Sequence, residues 1–301
     1  MQIAVLAQPE SWYFRDLARA ATERGGQCTR LDFSGLIGGI VDGQPVLNQG
    51  ETDLRDCRAI VVRSMPAGSL EQVVFRMDIL ARLEAAGVPV VNPPKALECA
   101  IDKYLTTARL AAAGLPVPDT IVCEDPGTAM LAWERLGRDV VVKPVFGAEG
   151  RGIVRLTDPD LAWRAFRTLF RLESVLYLQR FIEHPGYDLR VLVLGERILG
   201  GMRRSSPDDF RVNVARSGIA EPHGPTDHEA ELALAATRAT GNLFAGIDLL
   251  YDATGRCYVI EVNGVPGWQA FGRVNSMDVA AVFVEWLETE TPNTKHQITK
   301  N

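Results

Sequence analysis

Lysine is scarce in this chain of 301 residues, and the formal net charge is −6 because 38 acidic residues outnumber 32 basic ones. Such a chain has no broadly basic surface that would attract a nucleic-acid backbone. Nucleic acid is therefore not an expected partner. Each lysine in the body of the chain instead becomes a candidate for a specific role.

Features of secreted and membrane proteins are also missing. The five cysteines are widely spaced and never form C-x-x-C, which argues against a disulfide framework or a thiolate metal site. No apolar run approaches the roughly 18 residues that a membrane span needs, and the first residues lack the basic region of a signal peptide. We therefore expect a cytoplasmic protein with no membrane partner.

Three common catalytic patterns are absent as well. The turn at residues 7–11, which follows the first apolar run, lacks the G-x-G-x-x-G pattern of dinucleotide-binding proteins. The four histidines show no zinc spacing such as H-E-x-x-H, and there is no G-x-S-x-G nucleophile turn. A classical dehydrogenase and hydrolases of those two kinds are not expected.

Hydrophobic periodicity predicts three folded parts and a tail. Residues 1–94 alternate short apolar runs with helical patterns, which is typical of an α/β domain with a parallel sheet. Residues 95–183 open with one helix predicted over 95–113 and continue as an α+β lobe. Residues 184–290 pair strands in hairpins and end in a helix, and residues 291–301 form a polar, flexible tail.

A strand that ends in lysine precedes a glycine-rich segment. Residues 140–142 are apolar, Lys143 follows, and glycines occur at Gly147, Gly150 and Gly152. Glycine allows backbone N–H groups to fold over an anion. The pattern favours a flap that closes over nucleotide phosphates while Lys143 reaches them from the strand. A glycine-rich surface turn beside a solvated lysine is an equally good interpretation of this motif alone.

Three oxygen-bearing side chains occur on two apolar runs near the C-terminus. Asp248 lies in one predicted strand, and Glu261 and Asn263 alternate with apolar residues on the next, so a hairpin would bring them together. Carboxylate and amide oxygens suit Mg²⁺, and clustered carboxylates repel unless a cation joins them. The sequence therefore predicts a metal site, although exposed polar positions on a solvated sheet face are the alternative.

Charged residues occur between these two motifs. Alternation places Asp188 and Arg190 on one face of a strand, and Arg203 and Arg204 follow on the next. Arginine offers a planar fork of donors for carboxylate or phosphate groups. Their position between a predicted phosphate flap and a predicted metal hairpin favours a role in a site over a solvated surface.

In this order and at this spacing, the motifs resemble the ATP-grasp superfamily, and within it the RimK-type α-L-glutamate ligases. The similarity covers roughly residues 1–290 and implies an ATP-grasp fold of α/β and α+β type, with an N-terminal Rossmann-like (pre-ATP-grasp) domain. Besides the motifs above, it rests on these segments: 101–103, 179–182, 209–213 and 261–267.

The resemblance also implies roles for particular residues. ATP would lie between two α+β lobes beneath the glycine flap, and two Mg²⁺ or Mn²⁺ ions would be bound by Asp248, Glu261 and Asn263. Arg203 and Arg216 would be catalytic, stabilising the transferring phosphoryl group and the tetrahedral intermediate. Besides the glycines, the implied ATP-binding residues are Lys103, Lys143, Gln179, Arg180, Phe181, Ile182, Asp188, Arg190, Arg211 and Asn213. Arg180 stands where these ligases commonly have glutamate.

The implied activity is that of an ADP-forming carbon–nitrogen ligase. ATP would phosphorylate an acceptor carboxylate to an acyl phosphate, and an amino group, expected to be that of L-glutamate, would then displace phosphate. The acceptor would be a coenzyme or a peptide or protein carboxylate, and a homo-oligomer is compatible with this activity. Two alternatives stay open: an ATP-binding regulatory module without ligase activity, and a ligase for free amino acids or short peptides. The complete set of metal-binding residues favours an enzyme over a binding module.

Overall fold

The computed structural model describes residues 1–147, 152–205 and 219–290. The chain divides into two compact units. The first unit contains Met1–Leu97, the short segment Asn242–Phe244 and the segment that begins at Val265. The second unit contains Glu98–Gly241 and Ala245–Gly264. The predicted tail, residues 291–301, lies outside the described residues.

The described residues contain both helices and strands throughout. The helices are α1 (Trp12–Glu23), α2 (Leu70–Ala85), α3 (Pro94–Ile101), α4 (Lys103–Ala112), α5 (Pro126–Arg135), α6 (Pro159–Arg171), α7 (Asp227–Thr240), α8 (Gln269–Val274) and α9 (Val279–Thr289). The strands are β1 (Gln2–Leu6), β2 (Gln27–Leu31), β3 (Leu36–Val41), β4 (Gln44–Gln49), β5 (Thr52–Asp53), β6 (Ala59–Val62), β7 (Val90–Val91), β8 (Thr120–Cys123), β9 (Val140–Lys143), β10 (Val154–Leu156), β11 (Leu176–Arg180), β12 (Tyr187–Leu194), β13 (Arg197–Ser205), β14 (Ile219–His223), β15 (Phe244–Tyr251) and β16 (Cys257–Asn263). In the described ranges, none of the helices is long and apolar enough to cross a membrane.

The first unit is built on the predicted parallel sheet. Its strands run in the order β2-β1-β6-β7, and every neighbouring pair is parallel. The two central strands, β1 and β6, are short and almost entirely apolar and buried, as parallel strands covered by helices must be. The glycine-rich stretch between β2 and β6 forms the antiparallel strands β3, β4 and β5.

The last helix belongs to the first unit. Its buried side chains include Phe283 and Leu287, and α9 packs against α1. We had expected this helix in the third part of the chain. Periodicity reveals that a helix has an apolar face but not which surface that face covers, and the expected assignment followed sequence order alone.

The segment Asn242–Phe244 is held in the first unit by one buried side chain. The Asn92 side-chain oxygen accepts hydrogen bonds from the backbone N–H groups of Leu243 and Phe244, both at 2.7 Å. Its amide nitrogen donates to the Phe244 carbonyl oxygen at 2.7 Å. Strand β15 therefore starts in the first unit and continues into the second.

The second unit contains two antiparallel sheets. One has the strand order β10-β9-β11-β8, and its buried core includes Trp133 and Phe166 from the helices above it. The other has the order β14-β13-β12-β15-β16, with Leu232 of α7 packed on one face. Neither strand β14 nor α8 of the first unit was predicted. Both elements are short, so their periodicity is weak.

Residues 95–113 form two helices instead of the single predicted one. The chain breaks at Asp102, whose carboxylate accepts hydrogen bonds from the backbone N–H groups of Tyr104 and Leu105 at 2.8 and 3.0 Å. An aspartate in this N-cap position satisfies backbone donors that a new helix leaves without partners. The break makes Lys103 the first residue of α4.

We expect Asp102→Ala to lower the free energy of unfolding by about 1 kcal/mol, because two backbone donors lose their acceptor. Asp102→Ser should recover most of that loss, since a serine hydroxyl can accept from the same donors. Urea denaturation of the three proteins measures the difference. Equal stability of the alanine and aspartate forms would contradict the capping role.

Candidate functional site

Lys103 lies beside the glycine segment and a carboxylate of β16. Its Nζ donates a hydrogen bond of 2.6 Å to the Gly147 carbonyl oxygen and lies 3.8 Å from the Glu261 Oε1. All three residues belong to the second unit. The structure therefore brings together a predicted phosphate-binding lysine, the start of the predicted flap and a predicted metal ligand.

Lys143 is the second ammonium group of this region. It ends β9, and its Nζ donates a 2.7 Å hydrogen bond to the Gln179 Oε1. Burial lowers the pKa of Lys143 to about 8. The negative charge of Glu261 partly opposes this decrease, and the positive charge of Lys103 adds to it. At neutral pH the Lys143 ammonium is charged, but neighbouring negative charge only partly offsets the cost of burying it. Such a group is suited to binding an anion.

Gln179 orients Lys143. The Gln179 Oε1 faces the lysine because its Nε2 donates to the Thr120 hydroxyl at 3.0 Å and to the Tyr177 hydroxyl at 3.1 Å. The resemblance implies that Gln179 is one of the ATP-binding residues. In this structure its side chain is committed to the lysine and two hydroxyl groups, so a positioning role for Lys143 accounts for it better.

The three residues that follow Gln179 also have partners. Arg180 makes an ion pair of 3.2 Å with Asp119, and the Arg155 guanidinium lies 3.6 Å above the Phe181 ring. Ile182 is buried against a small cluster on β15 and β16. Since these side chains are engaged with protein groups, a nucleotide at this segment would meet mainly backbone.

The described ends of the glycine segment show why glycine is present. Gly152 has a φ of +74°, and a Cβ atom there would lie 2.9 Å from the Pro144 Cγ. Both the left-handed backbone and the close approach exclude a larger residue without rearrangement. Four predicted site residues lie outside the described residues: Gly150, Arg211, Asn213 and Arg216.

Two aspartates and two arginines on β12, β13 and β15 form what we call the buried charge network. Arg190 donates to both oxygens of Asp248 at 2.7 Å, and Arg204 donates to the Asp188 Oδ1 at 2.7 Å. Arg204 also lies 3.0 Å from the Asp248 Oδ2 and so joins the two pairs. The side chains are 3–15% exposed, and the four formal charges sum to zero.

The network changes the interpretation of Asp248. Burial alone would raise the pKa of Asp248, but Arg190 and Arg204 outweigh it and lower that pKa to about 2. In this structure neighbouring strands supply two guanidinium groups that compensate this carboxylate, and its role as a metal ligand stays a prediction. Arg204 is not among the predicted site residues, and its position one residue beyond Arg203 is the signal that the sequence offers.

Glu261 and Asn263 offer the donor atoms that a cation would need. Glu261 lies opposite Asp248 in the β15–β16 register, and its side chain is 23% exposed. The Asn263 Nδ2 lies 3.4 Å from both the Gly246 carbonyl oxygen and the Asp248 Oδ2, which leaves its amide oxygen for a ligand. Among the described residues, no group of three His, Cys, Asp or Glu side chains could hold a metal, so the amide oxygen of Asn263 is the further side-chain donor beside Glu261.

The Arg203 side chain does not take part in the buried charge network. It lies opposite Leu189 in the β12–β13 register, and Leu189 belongs to the core on the α7 face of the sheet. The guanidinium of Arg203 is exposed and lies 4.0 Å from the centre of the Tyr187 ring. Alternation along β13 explains the difference, because neighbouring residues point to opposite faces.

Both halves of the chain match a known family. Residues 1–97 match the RimK pre-ATP-grasp domain, and residues 100–287 match the RimK-like ATP-grasp domain. The chain belongs to the RimK-like ATP-grasp family. This confirms the predicted fold with its N-terminal pre-ATP-grasp domain, and it confirms the prediction of an ATP-grasp ligase. Proteins of this family use ATP and magnesium.

Curated relatives carry ligase names. The tetrahydromethanopterin:α-L-glutamate ligase of Methanosarcina acetivorans is 33% identical over 94% of this chain and 97% of its own. The α-aminoadipate–LysW ligase LysX of Saccharolobus solfataricus is 32% identical over 67% of this chain and 75% of its own. RimK-like ATP-grasp proteins with similar sequences therefore include ligases with different acceptors.

Solved structures share the fold. The ATP-grasp ligase PsnB, complexed with its minimal precursor, superimposes with a TM-score of 0.77 at 21% identity, covering 95% of this chain and 98% of that one. A RimK domain ATP-grasp protein from Sphaerobacter thermophilus gives a TM-score of 0.73 at 22% identity, covering 95% and 99%. The RimK-like ATP-grasp fold thus extends over nearly the whole chain.

Adjacent arginines allow a matched test of the buried charge network. Arg204→Met should lower the free energy of unfolding by about 3 kcal/mol or more, because it leaves Asp188 buried without its cation. Arg203→Met should cost about 1 kcal/mol or less, since that side chain is exposed and stacks on one ring. Urea denaturation at neutral pH measures both, and equal losses would contradict the network.

The pKa of Lys143 predicts two opposite responses to pH. Its folded-state pKa of about 8 is below the ordinary value of 10.5, so the unliganded protein should gain stability as the pH rises from 8 towards 10.5. ATP affinity should fall over the same rise, because the ammonium group loses its charge. Calorimetric ATP titrations from pH 7 to 10 measure the affinity. Lys143→Met should bind ATP weakly with a flatter pH profile, and an unchanged profile in that variant would refute the assignment.

Proposed function

We propose that this protein joins the amino group of L-glutamate to a carboxylate of a coenzyme or peptide acceptor at the expense of ATP. The observation that carries the proposal is the grouping of two ammonium groups, those of Lys103 and Lys143, with the Glu261 carboxylate beside the buried charge network. Such a grouping suits the binding of a phosphate chain. The reaction would occur in the cytoplasm, in line with the composition of the chain.

The reaction balances in two steps. An oxygen of the acceptor carboxylate attacks the terminal phosphorus of ATP, and the bond from that phosphorus to the ADP oxygen breaks, giving an acyl phosphate. The amino group of L-glutamate then attacks the acyl carbon, phosphate leaves with the bonding electrons, and the amine loses a proton. Catalysis of phosphoryl transfer depends mainly on positioning and charge stabilisation.

Residues of the second unit supply both requirements. Lys103 and Lys143 would bind phosphate oxygens, with Gln179 keeping Lys143 in place through a 2.7 Å hydrogen bond. Binding an anion would also relieve the cost of burying the Lys143 charge. Gly147, whose carbonyl oxygen receives the Lys103 hydrogen bond, would couple that lysine to the glycine flap. The flap residues Gly150 and Gly152 and the polar residues Arg211, Asn213 and Arg216 keep their proposed roles in ATP binding and catalysis.

Glu261 and Asn263 would hold Mg²⁺ or Mn²⁺, and two ions are proposed. When bound, the cation would offset the negative charge of the phosphate oxygens. Asp248 would become a third ligand only if one of its guanidinium partners withdrew, because its oxygens accept from Arg190 and Arg204 in this structure.

A coenzyme acceptor is the first class to test. The support is the 33% identity to the tetrahydromethanopterin:α-L-glutamate ligase, whose alignment spans nearly both chains. A peptide or protein carboxylate, the other acceptor that the resemblance to glutamate ligases implies, is the second class.

We would incubate the protein with Mg-ATP, L-glutamate and either a carboxylate-bearing pterin or a glutamate-terminated peptide, and measure ADP release and product mass. ATP binding without ADP release in any mixture would favour the regulatory module.

Glu261→Gln should abolish acceptor-dependent ADP release at saturating Mg²⁺ while weakening ATP binding only modestly, because the amide removes the charge that a cation needs but leaves both lysines. Glu196→Gln is a matched control, since Glu196 is exposed and paired with Arg238 at the surface. Steady-state ADP release and calorimetric ATP affinity are the two measurements. Near wild-type turnover of the Glu261 variant would show that this carboxylate does not hold the cation.

A further inference from the structure

Arg63 is a buried cation with few partners in the first unit. The residue is 8% exposed, and it follows β6 at the end of the parallel sheet. Its Nη2 donates to the Pro266 carbonyl oxygen at 2.7 Å, whereas its Nε is buried with no hydrogen-bond partner. In the part of the chain that the structure describes, no carboxylate pairs with it. A guanidinium group has five N–H donors, so most of its capacity is unused.

Aromatic rings hold this guanidinium in place. Its central carbon lies 4.8 Å from the centre of the Tyr13 ring and 4.4 Å from that of Trp268. The Trp268 Nε1 donates to Asp16 at 2.9 Å, which fixes the indole. A Cβ at Gly267 would lie 2.5 Å from the Tyr13 hydroxyl, so glycine is needed for this packing. The rings restrict Arg63 but supply no acceptor oxygen for its donors.

The position of Arg63 in the sheet matches that of ligand sites in α/β proteins. In the strand order β2-β1-β6-β7, the chain passes from β1 to β2 on one side and later crosses to β6 on the other side of β1. Ligands of such sheets bind outside the carboxyl ends of the strands at this switch point. Arg63 lies there, since its backbone N–H donates to the carbonyl oxygen of Leu6, the last residue of β1, at 2.9 Å. The loop after it becomes exposed from Pro66.

We propose that Arg63, held between Tyr13 and Trp268, binds a non-reacting carboxylate of a substrate. The inference rests on the proposed function, because L-glutamate and the acceptor are the carboxylates that such a ligase would handle. Burial lowers the pKa of Arg63 to about 10 but leaves it charged at neutral pH. A buried positive charge is costly unless an anion joins it, and a planar guanidinium suits a carboxylate best.

The test compares Arg63→Gln with a matched variant, Arg76→Gln. Arg76 is also 8% exposed, donates to a carbonyl oxygen of the same loop, that of Pro66, at 2.7 Å and lies 5.8 Å from the Phe33 ring centre. Calorimetry would measure binding of L-glutamate, L-glutamine and L-isoglutamine to protein saturated with Mg and a non-hydrolysable ATP analogue. Steady-state assays would add the KM values for L-glutamate and for the acceptor.

Arg63→Gln should weaken L-glutamate binding about tenfold or more, the usual effect of losing a hydrogen bond to a charged group. It should also remove the preference for the acid over one of the two amides, and Arg76→Gln should do neither. If the carboxylate belongs to the acceptor, glutamate affinity will hold while the acceptor KM rises about tenfold. Unchanged glutamate affinity and unchanged acceptor KM in a folded Arg63 variant would overturn the proposal and leave Arg63 structural.

Two further measurements keep the result interpretable. If Arg63→Gln does not fold, Arg63→Lys retains the charge without the planar fork and should still weaken binding severalfold. If wild-type protein releases no ADP with L-glutamate and either class of acceptor, the proposed function fails, but binding of L-aspartate, glutarate and 2-oxoglutarate still tests the subsite. Loss of that binding in the Arg63 variant would support the subsite, and a wild-type protein that binds none of these carboxylates would overturn it.

Discussion

The pairing of Asp248 with Arg190 and Arg204 organises the second unit around its candidate site. Burying four ionised side chains costs several kcal/mol per ion unless each finds an opposite charge in good geometry. Here every carboxylate oxygen of Asp248 accepts from a guanidinium group, and Arg204 links it to Asp188. The requirement fixes the register of three neighbouring strands, because a shift of one residue would turn each charge to the apolar face. Because β16 pairs with β15, the same register also sets the positions of Glu261 and Asn263.

The charged forms of Lys143 and Asp248 respond to burial in opposite ways. The Lys143 ammonium is buried next to a neutral amide oxygen, and its lowered pKa means that the charged form is disfavoured. The Asp248 carboxylate is buried next to two cations, and its lowered pKa means that the charged form is favoured. One group is fully compensated by the protein and the other is not. We infer that the compensated network is the rigid base of the site and that the uncompensated ammonium is its receptive part.

Much of the fold could be predicted from the sequence, and the reasons for the failures are specific. The strands at Ala59–Val62, Thr120–Cys123 and Phe244–Tyr251 are largely apolar runs between turn residues, and such runs are clear signals in a sequence. The break at Asp102 was missed because alanine and leucine on both sides continue a helical pattern through a capping residue. The convergence of Asp248, Glu261 and Asn263 followed from alternation, but the arginines that reach Asp248 come from β12 and β13. Local periodicity does not show which distant strands pair with each other.

The first unit is not a continuous stretch of chain. Asn92 binds the backbone at Leu243 and Phe244, and α9 packs on α1, so segments separated by more than half the sequence complete one core. During synthesis the N-terminal residues emerge long before these partners do. A fragment that ends near residue 97 would lack Trp268, Phe283 and the segment bound by Asn92. The two family domains are therefore separable as sequences but not as folding units, and the N-terminal unit can reach its native packing only after the C-terminal helix has left the ribosome.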